Sequence, residues 1–141
     1  MKDSSKAMVM DPFQEARRYV ENAKETLKER GKLNVEMGRY EDPKYVKAAG
    51  HYLWLSVLMA LDAVFHVEEE KVAKKGLGAR VTVGDYMTAV SKRDGKLRDW
   101  VADSYRIAHL SMGYDGVQDK AVCAVGIRVA NAVIDRCEAL G

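Results

Sequence analysis

The amino-acid sequence predicts an all-α protein, an antiparallel helical bundle of about five helices around a central apolar helix. Residues that favour helices are frequent, and the chain contains only two prolines. Apolar residues recur at spacings of three and four along several segments, which is typical of helices with one buried face. The segment between His51 and Asp62 carries no charge and no single polar stripe, so a helix there needs neighbours on nearly every side.

The length and composition indicate one domain of ordinary globular type. The chain has 141 residues, of which 48% are hydrophobic and 31% are charged, enough to bury a single core. We assign residues 11–141 to a single helical-bundle domain and residues 1–10 to a flexible N-terminal tail. The formal net charge of +2 provides no global field that would select nucleic acid or an anionic membrane.

Two apolar patterns bear on localisation. The tail lacks the apolar run of about 7 to 15 residues that forms the middle of a signal peptide. The uncharged run from Ala48 to Leu61 is shorter than the roughly 20 residues that a membrane-crossing helix needs. We therefore expect a cytoplasmic protein without a membrane partner.

The first helix is predicted to begin at Asp11 and to end at Gly31. The Asp11 side chain can cap the amides that follow it, and Pro12 occupies the first helical position, where its missing N–H costs nothing. The next segment, residues 32–41, is interpreted as a loop, because Gly31 and Gly38 loosen both of its ends.

The central helix is predicted to start at Asp42 and Pro43, which repeat the same start signal. Its apolar part ends near Val67, but the charged residues that follow can continue the helix to Lys75. A continuous helix of that length would measure about 50 Å against about 30 Å for the first helix. Its end must therefore overhang the bundle, kink, or pair with another subunit.

Three further helices are predicted in the second half of the chain. Thr82 and Asp85 have the spacing of a capping box, and that helix ends at the turn formed by Asp94 and the glycine after it. The fourth helix covers residues 96–111. The fifth is predicted to start at Asp115, with Gln118 at the capping-box position, and to run nearly to the end.

Two glycines and two cysteines inside these helices carry structural predictions. Gly50 and Gly126 each cost about 1 kcal/mol relative to alanine inside a helix, so each is expected to mark a close crossing with another helix. Cys123 and Cys137 lie on one predicted helix, about 21 Å apart at its rise of 1.5 Å per residue. They are therefore too distant for a disulfide and are expected to be packed thiols.

The first candidate for a polar site is the pair Asp62 and His66, which face the same way one helical turn apart. With Glu69 or Glu70 they form part of a possible ligand-binding or acid–base site. The alternative is that Asp62 accepts hydrogen bonds from a buried tyrosine or from His66, since buried carboxylates need partners. Three histidines without a ligand spacing predict no metal site, and we expect no cofactor.

Two further candidates involve cations. Tyr105, Arg106 and His109 place a hydroxyl, a cation and a general acid–base within one turn, as phosphodiester cleavage requires, although solvated positions explain most such pairs. Lys92, Arg93 and Lys96 cluster across the turn at residues 94–95, where they form either a phosphate-binding site or a solvated basic face.

Several runs resemble a small bacterial family of helical domains without an assigned function. They are Ala16-Arg-Arg-Tyr-Val-Glu-Asn-Ala-Lys-Glu-Thr-Leu27, Tyr45-Val-Lys-Ala-Ala-Gly-His-Tyr-Leu-Trp-Leu55, Leu61-Asp-Ala-Val-Phe65, Tyr105-Arg-Ile-Ala-His-Leu110 and Gly113-Tyr-Asp-Gly116. More loosely, the pattern is similar to HEPN-type bundles, and this resemblance implies a bundle and a dimer. HEPN ribonucleases separate an Arg from a His by four to six residues, whereas two residues separate Arg106 from His109.

The sequence thus favours a bundle that acts by binding, as a homodimer, without catalytic activity. The alternatives are a HEPN-like nucleic-acid-binding protein and a degenerate ribonuclease centred on Arg106 and His109. The dimer prediction follows from apolar residues outside the main helical stripes, which would form an exposed patch. These residues are Leu33, Val35, Met37, Tyr40 and Leu77.

Overall fold

The computed structural model describes residues 11–141, so the predicted tail at residues 1–10 lies outside the described residues. The described chain is a helical bundle with one two-stranded sheet, which confirms the all-α prediction. The elements are α1 (Pro12–Thr26), a short π-helix π1 (Leu27–Gly31), β1 (Leu33–Asn34), β2 (Arg39–Tyr40), α2 (Pro43–Phe65), α3 (Val67–Lys75), α4 (Val83–Ser91), α5 (Gly95–Ser104), a second π-helix π2 (Tyr105–Tyr114) and α6 (Lys120–Leu140).

Helix α2 is the centre of the bundle, as the sequence predicted. Asp42 caps it by accepting a hydrogen bond from the Lys44 N–H at 3.1 Å, and Pro43 follows in the first turn. Nine of its residues are buried, and α1, π2 and α6 pack around it. By length and composition alone α2 could cross a membrane, but a helix at the centre of a folded bundle has the same apolar character.

The predicted continuation of the central helix to Lys75 is broken at His66. This residue adopts the left-handed conformation, with φ of 52°, and it separates α2 from α3. The Asp62 side chain accepts a hydrogen bond from the Glu68 N–H at 3.1 Å and thereby caps the new helix. The kink is therefore fixed by a carboxylate that precedes it, and α3 packs on α4 instead of overhanging the bundle.

The predicted loop after the first helix contains a small β-hairpin. Leu33 pairs with Tyr40, and Asn34 pairs with Arg39. The Asn34 side chain accepts a hydrogen bond from the Met37 N–H at 3.0 Å, which closes the turn. The hairpin is held against the start of α6, since the Lys120 N–H donates to the carbonyl of Gly38 at 3.0 Å.

Helices α4 and α5 begin where the sequence placed them. The Thr82–Asp85 capping box is present, with both reciprocal hydrogen bonds. Asp94 caps α5 by accepting from the Leu97 N–H at 3.0 Å, and its second oxygen accepts from Nε of Arg136 at 2.6 Å. These two interactions, the backbone hydrogen bond first, hold the pKa of Asp94 below its usual value. One buried carboxylate thus ties α5 to α6.

The fourth and fifth helices differ from their predicted bounds. Helix α5 changes at Tyr105 into π2, which continues past residue 111 to Tyr114. The chain then turns through Gly116, whose φ is 65°. The predicted cap at Asp115 is therefore wrong: Asp119 caps α6 by accepting from the Ala121 N–H at 2.8 Å and the Val122 N–H at 3.1 Å.

Gln118, predicted to complete a capping box, instead binds the hairpin. Its side-chain amide donates to the carbonyl of Tyr40 at 2.8 Å and to that of Glu41 at 3.2 Å. Asp115 was wrongly predicted as the N-cap because a short turn that contains Gly116 separates this residue from the start of α6. Asp119 provides the same chemistry one turn later.

Both glycine predictions are confirmed. A Cβ on Gly50 would overlap the backbone N of Gly113 and lie 2.5 Å from the carbonyl oxygen of Ala108, so α2 and π2 meet backbone to backbone. A Cβ on Gly126 would lie 2.8 Å from Sδ of Met112. Cys123 and Cys137 are free and buried, as predicted.

Candidate functional site

A cleft of about 290 Å³ lies between α2, the start of α4 and π2, and we call it the aromatic cleft. Aromatic rings, hydroxyls and a cation share this cavity. Its lining residues are Trp54, Leu58, Arg80, Val81, Thr82, Val83, Tyr86, Tyr105 and His109.

Three of the lining rings form a stacked cluster. The ring centroids of Trp54 and Tyr105 are 5.5 Å apart with an interplanar angle of 68°, an edge-to-face arrangement. His109 lies 5.5 Å from Trp54 and 5.2 Å from Tyr105, and both pairs are tilted by 34°. Trp54 is buried, whereas the other two rings are half-exposed, so the cluster presents aromatic surface to the cleft.

The π-helical geometry places this cluster. In π2 the backbone hydrogen bonds run from residue i+5 to residue i, a rare arrangement that is often found at functional sites. The close crossing at Gly50 holds π2 directly against α2, the helix that carries Trp54. The aromatic cleft therefore depends on the same backbone contact that fixes the bundle.

One polar group of the cleft, the Tyr86 hydroxyl, has a hydrogen-bond partner in the protein, whereas Arg80 has none among the described residues. The Tyr86 hydroxyl donates to Oδ2 of Asp62 at 2.8 Å, and burial followed by this hydrogen bond raises the pKa of Tyr86. The Arg80 guanidinium is exposed and forms no hydrogen bond or ion pair within residues 11–141. Within the described part of the chain, Arg80 is therefore the unpaired cation of the aromatic cleft.

The structure brings Asp62, His66 and Glu69 together in one cleft, and it also gives Asp62 the hydrogen bond with a buried tyrosine that the alternative interpretation proposed. Its two oxygens bind the Tyr86 hydroxyl and the Glu68 N–H, so it joins α2 to both α3 and α4. His66 is exposed, and its Nδ1 lies 3.6 Å from Glu69. Within residues 11–141 no cluster of three or more His, Cys, Asp or Glu side chains could hold a metal ion.

The structure separates the members of the predicted Tyr105–Arg106–His109 site. Tyr105 and His109 share the aromatic cluster, whereas Arg106 is exposed and forms an ion pair with Asp103 at 3.1 Å. Arg106 does not line the aromatic cleft. The cation that lines the aromatic cleft together with His109 is Arg80, which belongs to the loop between α3 and α4.

The predicted basic cluster is also divided. Lys92 lines a second cleft of about 420 Å³ between α3 and α4, and we call it the basic cleft. Lys71, Lys74 and Lys75 lie there as well, and Lys71 is paired with Asp85 at 3.2 Å. Arg93 and Lys96 have other contacts: the Arg93 guanidinium stacks over Phe65 and donates to the carbonyl of Leu140, and the Lys96 ammonium lies over Trp100.

Sequence reasoning missed three residues of the aromatic cleft. Trp54 lies within the uncharged run from Ala48 to Leu61, and its side chain is mostly buried there. Tyr86 lies within the predicted third helix, and Arg80 lies outside the three candidate sites. The signal for Arg80 was its position two residues before a capping Thr82, which brings a loop cation to the start of a helix.

The fold and this site define a small all-α domain with one aromatic cleft beside a π-helix. Its sequence matches the family described as domain of unknown function (DUF5618) over residues 11–139, so the chain belongs to that family. It is also similar to a solved protein of unknown function from Dyadobacter fermentans, with 34% identity and a TM-score of 0.77. That match covers 91% of this chain and 93% of the other. A search of curated proteins found no match.

Proposed function

We propose that this protein acts by binding, and that the aromatic cleft receives a small ligand with a flat ring. The observation that carries this proposal is the convergence of Trp54, Tyr105 and His109 on one cavity that also contains the free Arg80 guanidinium. Pockets that bind small molecules combine apolar and aromatic walls with a few polar groups that orient the ligand. The aromatic cleft has this composition.

The arrangement around His109 favours binding over catalysis. A catalytic imidazole is usually oriented by a carboxylate and lies within hydrogen-bond reach of its substrate or nucleophile. The neighbours of His109 in the cluster are instead the rings of Trp54 and Tyr105. Arg106, the cation that a ribonuclease site would need beside it, is engaged by Asp103 on the exposed surface.

Fluorescence of Trp54 tests this proposal. The chain has two tryptophans, so a Trp100→Phe variant reports from Trp54 alone. We expect flat aromatic compounds to change its emission in a saturable manner, because they would contact the ring cluster. Tyr105→Ala, which removes a half-exposed wall of the aromatic cleft, should weaken this binding at least about tenfold.

The matched control is Tyr114→Ala, which removes an exposed tyrosine from the other end of the same π-helix. It should leave the titration unchanged. Equal losses in the two variants, with circular dichroism showing both folded, would refute the aromatic cleft as the binding site.

A second candidate function is nucleic-acid binding, and the basic cleft favours it. Lys74, Lys75 and Lys92 line this cleft without an ion pair to another described residue, and Phe65 provides an apolar wall. When a lysine binds a phosphate of DNA, it displaces the cations that were condensed there. The logarithm of the binding constant therefore falls with the logarithm of the salt concentration, with a slope of about 0.9 for each lysine–phosphate contact on duplex DNA.

The test of this candidate compares two charge reversals. Lys74→Glu together with Lys92→Glu should abolish salt-dependent retention of RNA or DNA. Lys96→Glu, which reverses a cation positioned over Trp100 outside the basic cleft, is the control and should retain most binding. If wild-type protein shows no retention at low salt, this candidate fails.

We propose in addition that the chain forms a homodimer through the hairpin. Val35 and Met37 at its tip are 82% and 65% exposed, which supports a partner there. Leu33 and Tyr40 are half-buried against the bundle, and Leu77 lies in the turn after α3. The patch expected from the sequence is thereby reduced to the hairpin tip.

A further inference from the structure

We infer that the ligand of the aromatic cleft is a small aromatic carboxylate, and that Arg80 determines this specificity by binding the carboxylate. This inference rests on the proposed function and names the class of molecule that the cleft would select. It depends on the charges around the cleft and on its size.

Within residues 11–141, the aromatic cleft is lined by a positive charge but by no carboxylate. Among the residues that the structure describes, Arg80 is the one permanently charged side chain that lines the aromatic cleft, and the other lining residues are apolar or hold neutral hydroxyls and an imidazole. An exposed guanidinium at the edge of a cleft with apolar walls offers a positive charge and several N–H donors to an anion that enters the cleft. The cleft therefore favours a ligand that brings one negative charge.

The second step concerns the carboxylates that might neutralise Arg80 from within the protein. Asp62 is occupied by the Tyr86 hydroxyl and the Glu68 N–H. Asp85 is occupied by the Thr82 N–H and by Lys71, and these contacts hold its pKa below the usual range. Asp62 and Asp85 are thus paired with groups that fix helix ends, and neither pairs with Arg80, which leaves the Arg80 fork available to an external anion.

The third step selects a carboxylate among anions. An arginine guanidinium binds carboxylate and phosphate alike through two parallel hydrogen bonds, but a phosphate dianion carries a second charge that a single cation leaves unneutralised. The cleft offers a single cation, and its volume of about 290 Å³ lies at the lower end of ligand pockets. A one- or two-ring acid fits these limits.

The experiment titrates four probes into the Trp100→Phe protein and follows Trp54 emission. Benzoate is the reference, benzamide has the same shape without the charge, and cyclohexanecarboxylate has the charge without the flat ring. Phenyl phosphate brings a second charge. We expect benzoate to bind at least about tenfold more tightly than each of the other three.

Variants of Arg80 identify the residue responsible. Arg80→Gln should weaken benzoate at least about tenfold and leave benzamide unchanged, and Arg80→Lys should restore only part of the loss, since an ammonium lacks the planar fork. Arg106→Gln, an exposed arginine outside the aromatic cleft, is the control and should bind benzoate like the parent.

Each remaining outcome overturns a defined part of the argument. Equal affinity for benzoate and benzamide, or an unchanged Arg80→Gln variant, refutes the carboxylate class while the cleft remains a binding site. Tighter binding of phenyl phosphate assigns the site to a phosphorylated ligand and also refutes the class. Absence of binding by every flat probe, benzamide included, contradicts the proposed function itself.

Discussion

Gly50 is the residue that allows α2 and π2 to cross with their backbones in contact. A methyl group there would overlap the backbone of Gly113 and lie 2.7 Å from Cβ of Met112, and backbone atoms cannot move aside as a side chain can. We expect Gly50→Ala to destabilise the protein by about 3 kcal/mol, at the upper end of overpacking costs. Urea unfolding followed by circular dichroism measures this change.

Two other glycines provide the comparison for Gly50. Gly84 is exposed in the first turn of α4, where an added Cβ meets only Oγ1 of Thr82 at 3.5 Å, so Gly84→Ala should stabilise by up to about 1 kcal/mol. Gly126 faces the flexible Met112 side chain, and its alanine variant should be intermediate. If Gly50→Ala is no worse than Gly84→Ala, the backbone contact between α2 and π2 is wrong.

At the residue scale, sequence reasoning succeeded where one residue type has one physical explanation. A glycine inside a helix costs stability, so Gly50 and Gly126 pointed to close crossings, and a capping box identified Thr82. Arg80 could not be assigned to a site, because its position depends on a loop and on π2, which is distant in sequence. Its neighbours become visible only once the fold is known.

The start of α6 is the element whose prediction changed most, and it has a direct test. Asp119 accepts two backbone hydrogen bonds, whereas Asp115 ends π2 and is exposed. We expect Asp119→Ala to lower the free energy of unfolding by about 1 kcal/mol, the usual cost of losing an N-cap. Asp115→Ala should have little effect, and the reverse order in chemical denaturation would restore the predicted start.

The acid stability of the α5–α6 connection tests a second element-scale contact. The Leu97 N–H and the Arg136 guanidinium hold the pKa of Asp94 below 3.8, so the folded state binds its proton less readily than the unfolded chain. The resulting stability is complete above pH 3.8 and is lost as the pH falls through the folded-state pKa. Asp94→Asn should therefore unfold with a flatter dependence on acid pH.

The control for Asp94 is Asp99→Asn on the exposed side of the same helix. It should retain the acid dependence of the wild type. Parallel curves for wild type and Asp94→Asn between neutral pH and pH 2 would show that the Asp94 pKa is not lowered by folding.

Sequence patterns identified helices well and their internal changes poorly. Regular spacing of apolar residues located all the long helices, including the central one. The kink at His66 was left open because residues that favour helix occur on both sides of it, mostly apolar before it and mostly charged after it. The decisive contact is a tertiary one between Asp62, Tyr86 and the Glu68 N–H. A π-helix and an α-helix use the same residue types, so the change at Tyr105 had no sequence signal.

At the scale of the whole molecule, the proposed homodimer predicts a mass of twice 15.8 kDa by light scattering. Val35→Lys combined with Met37→Lys should convert the protein to a monomer, because charges at the hairpin tip oppose burial of that surface. Leu77→Lys is the matched control, since Leu77 is 94% exposed in the turn after α3, outside the hairpin. A wild-type protein that stays monomeric at micromolar concentration contradicts the dimer.

The most direct test of the central claim, that the aromatic cleft is the binding site, is to map amide and aromatic NMR shifts of the wild-type protein during a benzoate titration. We expect the largest shift changes at the four cleft residues Trp54, Arg80, Tyr105 and His109, and all four should follow one saturation curve. Shifts confined to Lys74, Lys75 and Lys92, or spread over the surface without saturation, would contradict it.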